Sequence, residues 1–414
     1  MQAVIIAAGE SSRFWPLNNK HKSQFSLLGR PILYWTLKGL AENGVKDIVI
    51  VQSAKSSLSE MMKKENDLNI KLRFVVQKEP LGTGNALWQT RELMKGSFLV
   101  VWPNKVNSGT LVKQVKEAAE KEHADVVLVG ASSAEVADYG VIRFDGNGKP
   151  VEIIENPSKG EEPSNTRLLG LRYITPDFFT YYEQLGAHHE ADYVDATNQM
   201  IKEKRTALVQ TNHEEPTLKY PWDAFPLLGA LMNSSNFANS IDKTAKIGKN
   251  VVIEGKVMIG RNAVIKDGTM LRGPIYIGDN CEIGYHNVLR GPLNMEHDVK
   301  TGAFMELKHS IIQQGTHFHS GYAGDSIIGE RCRFAAGFIT ANRRFDRQPV
   351  RTIVKGVKTE TRLEAFGIVV GNGSIFGILA SSMPGVMVGS GCQIGPGVML
   401  SKNVADGEGL MKKE

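Results

Sequence analysis

The sequence predicts two domains, an α/β Rossmann-like domain with a mixed sheet over residues 1–232 and a left-handed parallel β-helix of hexapeptide repeats over residues 233–414. Three observations carry this reading. In the first half, short apolar runs alternate with amphipathic stretches of helical period. From Ile241 onward an aliphatic residue returns at every sixth position. Between the two, the polar stretch MNSSNFANS at Met232–Ser240 reads as a linker. The chain has 414 residues, more than the roughly 250–300 at which a single core stops growing.

The α/β pattern is read in order along the chain. The run AVII is followed by PILYWTLKGLAENG, IVIVQ, a helix near Ser56–Glu65, RFVVQ, a helix near Asn85–Met94, FLVVW, a helix over Leu111–Glu122 and VVLVG. Strands that are apolar along their whole length, separated by amphipathic helices, imply a parallel sheet covered on both faces. Right-handed crossovers then gather the loops after the strands at one carboxyl edge, where such sheets bind ligands. Further on, YGVIRFDGNGKPVEIIEN reads as a hairpin on a DGNG turn, so the sheet becomes mixed.

The six-residue comb runs without a break through Ile241, Ile247, Ile253, Ile259, Ile265, Leu271, Ile277, Ile283, Leu289 and Met295. No helix or ordinary strand has that period. It fits a coil of triangular cross-section with three short strands per turn, the aliphatic residue pointing to the axis and small residues turning corners such as IGKN, IGRN, IGDN and IGYH. The comb lapses over Thr301–Ala323 and returns at Ile328, Phe334 and Thr340. An unpatterned loop over Arg343–Ala365 breaks it again before Val370, Phe376, Val388, Ile394 and Leu400. Function is expected in these interruptions, since loops on a rigid scaffold carry it.

Composition narrows the class. No apolar run approaches the ~18–20 residues of a membrane span. The opening MQAVIIAAG enters a strand with no basic segment before it, so a cytoplasmic location is expected. Cys281, Cys332 and Cys392 are odd in number and share no metal-ligand spacing, which supports neither a disulfide framework nor a zinc site. A net charge of +5 is too mild and dispersed for a nucleic-acid partner but suits anionic substrates such as phosphates.

Two segments carry candidate chemistry in the first domain. Ala7-Ala8-Gly9-Glu10-Ser11-Ser12-Arg13-Phe14-Trp15-Pro16-Leu17 follows the first strand, with Lys22 just beyond. Small residues let backbone amides approach phosphate oxygens, and Arg13 and Lys22 can neutralise a triphosphate. The second segment is Gln77 followed by Pro80-Leu81-Gly82-Thr83-Gly84-Asn85-Ala86. Together they resemble the AAG-x-G-x-R…PL…PK and Q-x-x-x-x-GTGNA elements of sugar-1-phosphate nucleotidyltransferases. The resemblance implies that Ala8, Gly9, Gln77, Gly82 and Thr83 hold the nucleotide, whose base is a pyrimidine. It also implies that Gly140 after Tyr139, and Glu155 after its strand, hold the sugar, and that Asp223 in Tyr220-Pro221-Trp222-Asp223 is a Mg2+ ligand. Four positions depart from the pattern. Asn104 stands where the family has a second metal-binding aspartate, His21 where it has proline, Ser11 where it has a loop glycine, and Leu168-Leu169-Gly170 where it has N-A-G. Asparagine is a neutral and weaker donor to a hard cation, so metal binding and transfer are expected to weaken. Lys105 could supply a cation in place of the metal.

In the second domain, Glu306-Leu307-Lys308-His309-Ser310, His319-Ser320-Gly321-Tyr322-Ala323-Gly324-Asp325-Ser326 and Gly337-Phe338-Ile339-Thr340-Ala341-Asn342 lie between hexads. An imidazole suits a general base that deprotonates an amine attacking a thioester. The stretch resembles the acetyltransferase domain of bifunctional enzymes that make UDP-N-acetylglucosamine, in the form without a long C-terminal tail, with its E-[IM]-K-K-S, H-L-x-Y-x-G-D and G-A-G-T-I-T-x-N elements. The resemblance implies His319 as the base, ahead of His317 and His309. It has Lys308, Tyr322 and Asn342 position the sugar while Arg290, in Val288-Leu289-Arg290-Gly291-Pro292, grips its phosphate. Here the stretch before His319 is one residue short, Arg333 replaces an asparagine, and Phe338 is expected to alter the acetyl-CoA channel. Arg343, Arg344, Arg347, Arg351, Lys355 and Lys358 make the interrupting loop basic, either as a solvated surface or as a contact for CoA phosphates or a neighbouring subunit.

Both resemblances occur in the order of the bifunctional family and cover nearly the whole chain. They imply acetyl transfer from acetyl-CoA to glucosamine 1-phosphate or a relative, nucleotidyl transfer from UTP or dTTP to the sugar 1-phosphate, and a homotrimer or dimer of trimers. Two alternatives stay open: a nucleotidyltransferase with a purely structural β-helix, and a degenerate regulatory or scaffold protein that binds nucleotide sugars without catalysis.

Overall fold

The computed structural model describes residues 1–133, 136–186, 188–212 and 216–411. They fall into two compact units that interleave in sequence, Met1–Glu10 with Pro31–Thr217 and Ser11–Arg30 with Leu218–Glu414. Residues 11–30 and 218–232 are thus counted with the coil.

The first unit is built on nine strands: β1 Gln2–Ala7, β2 Asp47–Ser53, β3 Lys71–Gln77, β4 Phe98–Val101, β5 Val126–Ser132, β6 Gly140–Phe144, β7 Pro150–Glu155, β8 Thr166–Ile174 and β9 Thr206–Thr211. Their order is β9-β5-β8-β4-β1-β2-β3, with the β6–β7 hairpin joined to β8. All neighbours in the main row are parallel except β8, which runs antiparallel between β4 and β5 and shifts register between Leu168 and Arg172. The sheet is mixed, as expected. Side chains alternate across it: Ala3 and Ile5 of β1 enter one core with Leu33, Leu37, Val112 and Val115, while Val4 enters the other with Phe178, Tyr193 and Met200. The first layer is α1 (Ile32–Glu42), α2 (Leu58–Glu65) and α4 (Ser108–Lys121); the second is α3 (Gly82–Trp88), α5 (Asp177–Gln184) and α6 (Asp192–Glu203). The DGNG turn closes through Asp145, whose Oδ1 accepts from the amides of Asn147 and Lys149 at 2.9 Å each.

The second unit is a parallel β-helix with sheets of eight, nine and eight strands. Ile241 pairs with Ile259, Ile259 with Ile277 and Ile277 with Met295, so each coil stacks the next aliphatic residue on the last. The left-handed corners at Asn250, Asn262 and Asn280 have φ of 55°, 55° and 57°. Asparagine takes that backbone; the glycine two positions earlier serves close approach, since a Cβ on Gly260 would lie 2.8 Å from the amide nitrogen of Asp279.

The lapse read over Thr301–Ala323 is not a lapse in the coil. Leu307, Ile312, Phe318, Ala323 and Ile328 all lie in the core. Three of the sides there have five residues instead of six, which breaks the comb in sequence and leaves the stacking intact. The loop over Arg343–Ala365 likewise contains structure, an antiparallel hairpin of Arg351–Val354 with Val357–Glu360. Phe338 does not line a channel: it is fully buried on the axis, 4.5 Å from the Phe334 ring centroid and 5.2 Å from that of Phe376.

On one face of the coil the outward residues Asn294, Ile311, Ile327, Val369 and Met387 are all fully buried. The segment 11–30 lies there. Leu28 N donates to Asn294 Oδ1 at 2.8 Å, Gln313 Nε2 to the Ser26 carbonyl at 3.0 Å, and Ser390 Oγ to Asn19 Oδ1 at 3.0 Å. Among the described residues no helix is long and apolar enough to cross a membrane.

Candidate active sites

In the first unit, the carboxyl edge of the sheet carries the residues expected to meet a nucleotide. Ala8 and Gly9 follow β1, and a Cβ on Gly9 would meet nothing within 4 Å, so no packing demands glycine there. Gln77 ends β3 and is buried, its Nε2 donating to the Gly82 carbonyl and to Asn85 Oδ1 at 3.0 Å each. Gly82 opens α3 at φ +87°, with Thr83 beside it half-buried. Gly84 is forced by packing, because a Cβ would overlap the carboxylate of Asp192 and the ring of Tyr182. Gly140 and Glu155 are direct partners across the β6–β7 hairpin, and a Cβ on Gly140 would lie 2.8 Å from Glu155 Oε1. Asn104 and Lys105 are both buried after β4. Gly170 closes over the latter: a Cβ there would sit 2.9 Å from Lys105 Cε.

Arg13, Lys22 and Asp223 belong to the second unit. Arg13 is exposed on a single 3-10 turn, Ser12–Phe14. Ser11 Oγ accepts from the Lys22 amide at 2.9 Å, giving the serine at the expected glycine position a role in folding the loop. Lys22 Nζ donates to the Leu218 carbonyl at 2.5 Å. Burial lowers its pKa, with Lys219 and Arg13 in the same direction and Asp223 opposing. Asp223 Oδ2 accepts from the amides of Lys219 at 2.6 Å and Tyr220 at 2.8 Å. Burial raises its pKa against those bonds and against the lysines. For this pair desolvation outweighs mutual attraction. His21, at the expected proline position, is lowered to about 4 by burial and then by Lys22. A carboxylate with one oxygen committed to amides fits a hard cation, which takes oxygen ligands and one or two carboxylates.

On the coil, three adjacent strands on one face bring the second set together. Arg290 pairs with Lys308, and Lys308 with Gly324; Glu306 pairs with Tyr322, and Tyr322 with Ile339. Arg290 forms an ion pair with Glu306. At the next corner stands Asp325, with its side chain 3% exposed. Its Oδ2 accepts from Lys308 Nζ at 3.1 Å and from Asn342 Nδ2, and its Oδ1 meets His309 Nδ1 at 2.7 Å. Burial alone would raise this carboxyl, but the hydrogen bonds from His309, Asn342 and Lys308 hold it below its ordinary value. Asn342 Nδ2 also donates to the Tyr322 hydroxyl at 3.2 Å. Burial, then Asp325 and Glu306, raise the Tyr322 pKa against Arg290. Lys308, Tyr322, Asn342 and Arg290 are thus neighbours on one face of the coil.

His319 makes no hydrogen bond to that network. It is exposed at the corner after His317–Phe318, its amide donating to the Phe334 carbonyl at 2.9 Å. Its ring makes no hydrogen bond among the described residues. His317 stands in a column between Lys300 and Arg333, and partial burial followed by those two cations lowers its pKa. His309 has what His319 lacks, a carboxylate on its ring nitrogen. Sequence reasoning quoted Asp325 within a motif and gave it no role; the signal was a Gly-Asp pair closing a strand.

The comparisons agree with this layout. A family model described as nucleotidyl transferase matches residues 2–222, and one described as bacterial transferase hexapeptide matches residues 256–291. A protein of Sulfurisphaera tokodaii named bifunctional sugar-1-phosphate nucleotidylyltransferase/acetyltransferase is 31% identical over 423 residues, covering 99% of each chain. The bifunctional protein GlmU of Methanococcus maripaludis is 34% identical over 422 residues, covering 100% of this chain and 98% of its own. Among solved structures, a UTP-bound UGPase from Acinetobacter baumannii aligns over 56% of this chain and 94% of its own, with a TM-score of 0.50 and 16% identity. At that identity the likeness speaks to the fold alone.

Proposed function

The chain belongs to the nucleotidyl transferase family and, end to end, to the family of bifunctional sugar-1-phosphate nucleotidylyltransferases/acetyltransferases, and on that premise we propose that it builds a nucleotide sugar in two transfers. The coil acetylates an amino-sugar 1-phosphate, glucosamine 1-phosphate in the first instance, from acetyl-CoA. The N-terminal part then joins the product to UTP or dTTP. The functional division falls at residues 232/233. One observation carries the reading: Arg290, Lys308, Tyr322 and Asn342, two cations and two neutral hydrogen-bonding groups, converge on one face of the coil. A purely structural β-helix or a decayed scaffold would have no use for them.

In the acetyl transfer, Arg290 and Lys308 take the sugar phosphate while Tyr322 and Asn342 orient the ring. The sugar amine attacks the thioester carbonyl carbon, and His319 Nε2 or Nδ1 removes the amine proton. The carbon–sulfur bond then breaks, leaving an amide and CoA thiol, which takes up the proton. In the nucleotidyl transfer, an oxygen of the sugar phosphate attacks the α-phosphorus in line and pyrophosphate leaves. Ala8, Gly9, Gln77, Gly82 and Thr83 hold the nucleotide, Gly140 and Glu155 hold the sugar, and Arg13 and Lys22 offset the charge that develops. Mg2+, with Asp223 and the neutral Asn104 as proposed oxygen donors, would supply further charge neutralisation when bound. Acetyl-CoA and nucleoside triphosphates are cytoplasmic metabolites, which suits a cytoplasmic location. Outward Ile339 and Met399 on the site-bearing face, both exposed, support a trimer-based assembly.

The test is to follow pyrophosphate release with UTP and thiol release with acetyl-CoA across several amino-sugar 1-phosphates. Two activities are expected. Pyrophosphate release alone would leave the coil structural, and neither activity would make the chain a binding protein.

A further inference from the structure

A buried carboxylate is costly unless every lone pair is engaged, and a coil corner has no structural need of one. The backbone at Asp325 is complete without its side chain: its amide donates to the Lys308 carbonyl at 2.9 Å and its carbonyl accepts from the Gly367 amide at 2.8 Å. Its side chain instead gathers donors from the coils on either side of its own, Lys308 and His309 on one and Asn342 on the other. Two of those donors, Lys308 and Asn342, are groups proposed to face the sugar phosphate. The third, His309, is in the left-handed region at φ 44°, and its ring lies 4.7 Å from that of Phe225 on α7 (Ala224–Met232), which fixes it from behind.

We propose that Asp325, braced by His309, is the positioning residue of the acetyl-transfer site, aiming Lys308 and Asn342 at the amino-sugar 1-phosphate. This rests on the acetyl-transfer reading above. Asp325 itself stays behind the two groups and touches no reacting atom. When Lys308 turns to a substrate phosphate, His309 and Asn342 still hold the carboxylate, so the site can release one donor without losing the hub. Asn342 is bound to both Asp325 and Tyr322, so the same carboxylate sets the tyrosine hydroxyl.

The experiment compares wild type, Asp325→Asn, His309→Ala and His309→Gln with glucosamine 1-phosphate and acetyl-CoA. Binding of glucosamine 1-phosphate in the absence of acetyl-CoA is measured alongside by titration calorimetry. Asp325→Asn is expected to raise KM for the sugar phosphate about tenfold or more while KM for acetyl-CoA stays within about twofold. His309→Ala should follow in the same direction, and His309→Gln, which keeps a donor, should recover to within about threefold of wild type. Sugar-phosphate affinity should track the first KM. Equal changes in both KM values, or no change in either, would overturn the positioning role. If the wild type releases no thiol yet binds the sugar phosphate in an Asp325-dependent way, the acetyl-transfer reading fails and the positioning role stands as one in binding. A wild type that binds no sugar phosphate overturns both.

Discussion

Gly324 lies directly under the hydroxyl of Tyr322: a Cβ there would overlap the tyrosine oxygen. The two sit on the same strand, two residues apart, and share its outward face. Gly324→Ala is therefore expected to displace the tyrosine rather than unfold the coil, as overpacking forces neighbours off their rotamers. Acetyl transfer should fall about tenfold or more with nucleotidyl transfer within about twofold, measured as thiol and pyrophosphate release from the same preparation.

Lys22 carries its charge only below its pKa, and burial brings that value down from the ordinary lysine range. The charge is present at low pH and lost as pH rises. Nucleotidyl transfer should therefore decline on the alkaline side at a lower pH than an ordinary lysine would allow, and Lys22→Arg should move that limb upward, because arginine stays charged. A pH profile of kcat/KM for UTP checks this.

Asn104 stands, buried, where the family pattern has an aspartate. Asn104→Asp restores a carboxylate and is expected to raise nucleotidyl transfer about tenfold and to lower the Mg2+ concentration at half-maximal rate. A Mg2+ titration of pyrophosphate release reads both.

His21 is held neutral, its pKa lowered to about 4 by burial and Lys22. Between that value and the unfolded value of about 6.5 the unfolded chain binds a proton that the folded chain does not. Stability is then full above about pH 6.5 and falls as pH drops towards 4, on the order of 1 kcal/mol per pH unit. Urea midpoints from pH 7 to pH 4 should show this slope, and His21→Gln should flatten it.

The two units differed in how much their residues disclosed. The coil was legible because its inward residues, from Ile253 to Met295, each occupy one side of equal length; Ile241 and Ile247 keep the period but are exposed. The comb failed at Leu307–Ile312, Phe318–Ala323 and Ala323–Ile328 for a reason local to those sides, a missing residue that stacking tolerates. The hairpin at Arg351–Glu360 was hidden because its residues show no apolar-in, polar-out alternation: Ile353 and Val357 are exposed while Thr352 is buried. Gln77, Gly82 and Gly84 were visible as a motif; that Gly84 exists to admit Asp192 was not, because the partners are far apart in sequence. The Asp325 network was out of reach for the same reason. Its members stand 16 and 17 residues apart and meet only once the coil register is known.

Two separable transfers on one chain should come apart in a double separation of function. Thiol release and pyrophosphate release would be measured side by side for His319→Ala and Lys22→Ala. His319→Ala is expected to lose about a hundredfold or more in thiol release with pyrophosphate release unchanged, and Lys22→Ala the reverse. Acetyl transfer at the wild-type level in His319→Ala, or parallel loss of both activities in either variant, would contradict this separation.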